Sequence, residues 1–218
     1  MTFPNESLSE RVKQAILDRV VDGTYPPGTR LLEMQLAREF GVSQAPVREA
    51  FRELASTRLV ESVPRRGTFV RAASQEDLVE VYLVRMALEE TAGRYAVEAL
   101  HADPSPLWAA LEQMRTAADA GDVRGLVKGS VAFHRAVMVA TGNRLLVEIW
   151  DSLHVEVRTM ATVVRGHVDL HHAAELHLPL IEAFERGEAA ECAQLLAEHQ
   201  QEYLTLPQDA AAPLATRD

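Results

Sequence analysis

Apolar residues recur at helical spacing in three successive stretches at the start of the chain. Residues 8–22 carry Val12, Ala15, Ile16 and Val20 in phase. Gly23 ends that run, and the turn Tyr25-Pro26-Pro27-Gly28 cannot continue a helical ladder. Residues 31–40 follow with Leu32, Leu36 and Phe40 on one face. Gly41 supplies a tight turn, Ser43 is placed to cap the next helix, and residues 44–56 carry Val47, Phe51 and Leu54. The pattern then changes to strand character at 59–63 and 67–71, with Pro64-Arg65-Arg66-Gly67 as a hairpin tip. Three helices and a two-stranded hairpin predict a winged helix-turn-helix over residues 1–73.

From Glu76 to about Leu204 the period is helical almost throughout. Ser74 is placed to cap the first of these helices, with Asp77 at its third position completing a capping box. That helix is expected to run to about Leu100, a second to start at Pro104 or Pro106, and a third to lie between Gly121-Asp122 and Gly142-Asn143. A long fourth begins near Arg144, another near His171, and the last after Gly187-Glu188. The fold class expected is therefore mostly α: a winged helix-turn-helix followed by an all-helical bundle over 74–206. Residues 207–218, rich in Ala and Pro, are expected to be a disordered tail.

Charge sharpens the division. The chain of 218 residues carries a net −10. Residues 1–72 hold eleven basic and nine acidic side chains, so the rest carries −12. Phosphate attraction depends on the local basic face, not on the total. The single cysteine, Cys192, excludes an internal disulfide, and no apolar run reaches membrane-spanning length. A soluble, cytoplasmic protein is expected, with no membrane partner.

The second helix of the helix-turn-helix offers Gln44, Arg48 and Arg52, spaced by four. A helix of this kind enters the major groove of double-stranded DNA and reads base edges from its first turns. Arg48 suits a bidentate pair with guanine and Gln44 one with adenine. Ser43 and the helix start suit a phosphate oxygen, and Arg52 a backbone contact. Arg65, Arg66 and Gly67 at the hairpin tip are placed for the minor groove or its phosphates. The plainer alternative is a solvated basic face.

Here the chain resembles the GntR family of bacterial transcription regulators. The resemblance is carried by Gly23-Thr24-Tyr25-Pro26-Pro27-Gly28-Thr29-Arg30-Leu31, Glu33, Leu36-Ala37, Gly41-Val42-Ser43, Pro46-Val47-Arg48-Glu49-Ala50, Leu54, and Pro64-Arg65-Arg66-Gly67-Thr68-Phe69-Val70. It departs from the family at Gln44, where Arg is usual, at Met34, where a polar residue is usual, and at Arg58, where Gly is usual. If Arg58 keeps a left-handed backbone, it costs on the order of 1 kcal/mol.

In the second half, three histidines fall on apolar helical stripes. His134 follows Val127 and Val131, His177 lines up with Leu180, Ile181 and Phe184, and His199 follows Cys192 and Leu195. One inward histidine is ordinarily a satisfied core residue. Three converging neutral imidazoles make a metal site. Arg85 lies in the stripe formed by Leu78, Val81, Tyr82 and Leu88, and an inward guanidinium needs an anion. That anion is either a structural Glu or Asp or the carboxylate of a small effector.

This half is similar to the FCD effector-binding domain of FadR-type GntR regulators. The similarity is carried by Val84-Arg85-Met86-Ala87-Leu88-Glu89, by Phe133-His134-Arg135-Ala136-Val137 with Gly142-Asn143, and by His177-Leu178-Pro179-Leu180-Ile181-Glu182-Ala183-Phe184 with His199. The resemblance implies a divalent ion, zinc or nickel, on His134, His177 and His199, with an Asp ligand four residues before the first histidine. Here that position is Ser130. Either three histidines and water hold the ion, or the site is metal-free. Pro179, two residues after His177, predicts a kinked or delayed helix there.

These readings predict a homodimeric DNA-binding transcription regulator, a repressor controlled by a small organic acid. Two alternatives stand beside it: a DNA-binding module whose metal-free helical domain only dimerises, and a metal-dependent hydrolase fused to a DNA-binding head. Against the latter, the sequence offers no nucleophile elbow and no phosphate loop.

Overall fold

The computed structural model describes residues 7–205, with the side chains of Arg165, Leu204 and Thr205 excepted. The expectation for the tail, 207–218, lies outside the described residues. The chain divides into two compact units between Ala73 and Ser74.

The first unit contains α1 (Leu8–Val21), β1 (Arg30–Leu31), α2 (Glu33–Glu39), α3 (Gln44–Ser56), β2 (Val60–Val63) and β3 (Gly67–Val70). Its core gathers Ile16 of α1, Leu36 of α2 and Val47, Phe51 and Leu54 of α3, all buried. Lys13 of α1 pins α3 by an ion pair with Glu53 at 2.8 Å. The strands form one antiparallel sheet in the order β1-β3-β2, with Arg30 opposite Phe69 and Val60 opposite Val70.

Here two expectations need correction. Residues 30 and 31 form a strand, so α2 starts two residues later than the apolar spacing suggested, and Leu32 is left 42% exposed. A two-residue strand is too short to show a period of two; only its pairing with β3 defines it. Ser43 does occupy the cap position of α3, but its side chain makes no capping hydrogen bond.

The second unit contains α4 (Gln75–Ala102), α5 (Ser105–Asp119), α6 (Val123–Ala140), α7 (Arg144–Asp151), α8 (Val155–Arg165), α9 (Leu170–Glu175), α10 (Leu178–Arg186) and α11 (Ala189–Thr205). The capping box at α4 forms: Asp77 N–H donates to Ser74 Oγ at 3.1 Å, and Ser74 N–H donates to Asp77 Oδ2 at 2.9 Å. Such caps are worth about 1 kcal/mol. The long helix α4 packs against α6, α10 and α11, and the core around it includes Phe133, Met138, Trp150, Leu180 and Phe184.

The long fourth helix expected from Arg144 is two helices. His154 takes a left-handed backbone, φ 49°, and breaks the run between α7 and α8. The helix expected from His171 is likewise two, α9 and α10, because Pro179 starts a new helix. It sits in the first turn of α10, where a missing N–H costs nothing.

Candidate DNA-reading face and buried histidine cluster

On α3, Val47, Ala50, Phe51 and Leu54 fill the core, so the opposite side faces solvent. That side presents Gln44, Arg48 and Arg52, as their spacing required. Arg48 keeps 56% of its side chain exposed and pairs with Glu33 of α2 at 3.4 Å. Arg52 is 78% exposed and donates to Glu49 at 3.1 Å. Exposed pairs of this kind hold a side chain only loosely, so both guanidiniums remain available to a nucleic acid. Ser43 is exposed at the mouth of the helix.

At the hairpin tip, Arg66 N–H donates to Val63 O at 3.0 Å, and Arg65 adopts φ 62°. Arg65 and Arg66 are exposed, and the Arg66 guanidinium lies 5.9 Å from the Phe69 ring centre. Gly67 has φ 109°, and a methyl group there would meet the Arg30 guanidinium at 3.1 Å. Its part is therefore to let the backbone turn. Arg58 does adopt the left-handed backbone, φ 59°, where glycine would be unstrained.

Inside the second unit the three predicted histidines come together from different elements. His134 comes from α6, His199 from α11, and His177 from the residue capping α10. Their ring centres lie 5.3 Å (His134 to His177), 5.0 Å (His134 to His199) and 4.5 Å (His177 to His199) apart. One ring nitrogen from each lies within 4.8 Å of the other two, and all three side chains are buried.

The surroundings fix the rings. The carbonyl of Ala173 accepts from His177 Nδ1 at 3.0 Å, so Nδ1 carries the proton and Nε2 is the lone-pair nitrogen. Ser130 Oγ stands 3.4 Å from that Nε2 and, of the two, only the hydroxyl has a proton to donate. Burial, then the neighbouring His134, lowers the His177 pKa to about 3. Burial followed by His177 and His134 pushes His199 well below its ordinary value. His199 Nε2 is buried with no hydrogen-bond partner. A buried ring nitrogen without a hydrogen-bond partner, beside two other imidazoles, fits a divalent ion held by nitrogen donors.

Arg85 sits beside this cluster, and its partner answers the question its position raised. Arg85 Nε donates to Glu89 Oε1 at 3.0 Å, and Nη1 donates to Thr159 at 3.3 Å. Arg85 therefore has a structural carboxylate one helical turn along its own helix. Glu89 is fully buried and collects further donors: Trp150 Nε1 at 2.8 Å on Oε1 and Gln200 Nε2 at 2.7 Å on Oε2. His134 Nδ1 lies 2.9 Å from Oε2, an ion-pair distance at which the ring N–H is not aligned on the oxygen. Burial alone would raise the Glu89 pKa; the Arg85 charge, then His134, reverse this and bring it to about 2.

Glu89, Trp150, Thr159 and Gln200 were not singled out from sequence. Only Glu89 carried a signal, its position four residues after an inward Arg. Tyr82 and Tyr203 stack with ring centres 5.8 Å apart, next to His199, and Tyr82 Oη and Gln200 Oε1 are buried without hydrogen-bond partners. No helix among the described residues is long and apolar enough to cross a membrane.

Residues 8–70 match the family described as bacterial regulatory proteins, gntR family, and residues 80–202 match the FCD domain. The probable D-xylose utilization operon transcriptional repressor of Paenarthrobacter nicotinovorans is 37% identical over 198 residues, 91% of this chain and 88% of that protein. The gluconate operon transcriptional repressor of Bacillus licheniformis is 30% identical over 70% of this chain and 65% of that protein. The structure of E. coli McbR/YncC is similar with a TM-score of 0.74 at 25% identity, over 91% of this chain and 95% of that one. These relatives are transcription regulators rather than enzymes, which sets the hydrolase alternative aside. On these matches the chain belongs to the GntR family of bacterial regulatory proteins, with an FCD domain as its helical unit.

Proposed function

We propose that this protein is a ligand-released repressor. A homodimer sets two copies of α3 into successive major grooves of a pseudo-palindromic operator. Gln44 and Arg48 read base edges, Ser43 and Arg52 hold phosphates, and Arg65, Arg66 and the Gly67 turn reach the minor groove or its backbone. The helical unit takes up a small hydroxylated carboxylic acid beside Arg85, Thr159 and the orphaned hydroxyl of Tyr82. His134, His177 and His199 hold a zinc-like or nickel-like ion, which when bound offers positive charge to carboxylate and hydroxyl oxygens. The acid acts by favouring one arrangement of the two DNA-binding heads over the other.

The observation that supports this most is the meeting of three buried imidazoles from three elements, one with an orphaned nitrogen, next to a buried guanidinium. A core built for packing alone would not gather them, since each buried polar group without a partner costs stability. Relatives named for D-xylose and gluconate operons fit an effector rich in hydroxyl groups.

The test is operator binding by fluorescence anisotropy, using DNA upstream of the gene itself and a panel of sugar acids and hydroxy acids. Specific binding released by one acid class is the expected result. No preference for that DNA over random duplex at physiological salt would end the reading. Ser130 favours a second reading, in which its hydroxyl caps His177 in a metal-free core and the helical unit only dimerises. Metal analysis of the purified protein decides between them.

A further inference from the structure

We infer that Met34 reads a thymine of the operator through its C5-methyl group, beside the base that Arg48 contacts. The inference rests on the operator reading above and adds a reading side chain on α2, outside the recognition helix.

Among the described residues of the winged unit, three large apolar side chains stand exposed: Leu8 at the start of α1, and Leu32 and Met34 at the start of α2. The last two bracket Glu33, and Glu33 is the residue that Arg48 meets from the reading face of α3, at 3.4 Å. The start of α2 therefore borders that face. The winding of α2 fixes the side on which Met34 lies. Leu36 and Ala37 are buried in the core. Glu39, on one flank, pairs with Arg19 of α1. At about 3.6 residues per turn, Met34 falls on the opposite flank, away from α1 and one turn before the exposed Arg38.

Chemistry then selects what Met34 touches. The side chain is 59% exposed. A thioether has no hydrogen to donate to a phosphate oxygen and no charge, so it adds nothing to the electrostatic part of DNA binding. The apolar group that a base pair offers in the major groove is the C5-methyl of thymine, and apolar side chains are the ones that recognise it. An unbranched, polarizable side chain adapts to such a contact without a fixed rotamer. Burying one such carbon from water is worth about a 4-fold change in affinity.

The test uses the full-length protein and the operator footprinted upstream of its own gene, with binding followed by fluorescence anisotropy. Each thymine of one half-site is replaced in turn by deoxyuridine, which keeps the pairing edge and removes only the methyl group. At one position the replacement is expected to weaken binding by the unmodified protein about 4-fold. Met34→Gln, similar in length but polar, is expected to bind the thymine and deoxyuridine operators equally. Met34→Leu, which keeps an apolar side chain, is expected to keep the preference for thymine. A residue that only supported the fold would not distinguish the two bases.

A deoxyuridine penalty that persists unchanged in Met34→Gln would overturn the inference. So would a series in which no replacement weakens the unmodified protein, or an operator with no thymine in either half-site. Unmodified protein that prefers no fragment over random duplex would end the operator reading itself, a failure distinct from loss of the methyl effect alone. If circular dichroism shows that Met34→Gln does not fold, Met34→Ala takes its place with the same expected result.

Discussion

Gly93 of α4 backs directly onto Ala193 of α11: a methyl group on Gly93 would lie 2.8 Å from both the Cα and the backbone nitrogen of Ala193. No side chain can be accommodated there without moving a helix. The close crossing lets α11 bury Cys192 and Leu196, and further along it Gln200 reaches Glu89 at 2.7 Å. Gly93→Ala is predicted to destabilise the helical unit by about 1–3 kcal/mol or more, since the obstacle is backbone. Its thermal midpoint should fall while the winged unit keeps its own transition. An unchanged midpoint would mean that the two helices separate at little cost.

Arg48 and Arg65 are predicted to fail in different ways. Arg48 is exposed and paired only loosely with Glu33, so Arg48→Ala should leave folding intact. Operator affinity should fall by about 1–3 kcal/mol, with relaxed preference at one base position. Arg65→Ala should weaken specific and random DNA alike and reduce the salt slope of binding by about 1. Anisotropy titrations at several salt concentrations separate the two. A uniform loss in Arg48→Ala would move that residue from the bases to the phosphates.

Arg85 shows why a single truncation misleads. It shares a buried ion pair with Glu89, so Arg85→Ala strands a carboxylate in the core, at a cost of about 3–5 kcal/mol. Loss of an acid response in that variant would say nothing about effector contact. Arg85→Ala combined with Glu89→Gln removes both charges and should recover a substantial part of the stability, measured by urea unfolding. If that stable double variant still responds to the acid, Arg85 is not an effector contact. If the single and double variants are equally destabilised, the pair is not coupled.

The parts legible from sequence were those governed by local rules. The extent of α3, the Ser74–Asp77 capping box and the inward faces of His134 and His199 all follow from periodicity and spacing. Breaks decided by one residue in a tertiary setting were not legible. His154 carries no sequence mark of a left-handed backbone, and β1 exists only through its pairing with β3. The histidine cluster itself was predictable because each ring sat on an apolar stripe. What neutralises Arg85 was left open, since a sequence does not say whether Glu89, one turn away, points in or out. Trp150, Thr159 and Gln200 lie 61 to 111 positions from the residues of α4 that they meet, beyond any local rule.

The buried imidazoles also set how the metal-free protein responds to acid. His177 has an ordinary value of 6.5 and a folded value of about 3, and His199 is lowered in the same direction. Below pH 6.5 the unfolded chain takes up protons at both positions while the folded chain does not, so stability is present above that point and drains away as the pH falls. At pH 5.5 His177 contributes a loss of about 1.4 kcal/mol, and His199 adds a loss of the same sign. The Glu89 contribution has the same sign but a lower window, from its ordinary 4.5 down to about 2. Acid destabilisation should therefore begin about two pH units earlier than carboxylates alone would dictate. Urea midpoints of chelator-treated protein at pH 7.5 and 5.5 test this, and His177→Gln should reduce the difference by about 1.4 kcal/mol. Equal stability at the two pH values would mean that the rings accept protons in the folded state, and a cluster so open to protons would lack the neutral nitrogen donors on which the ion site depends.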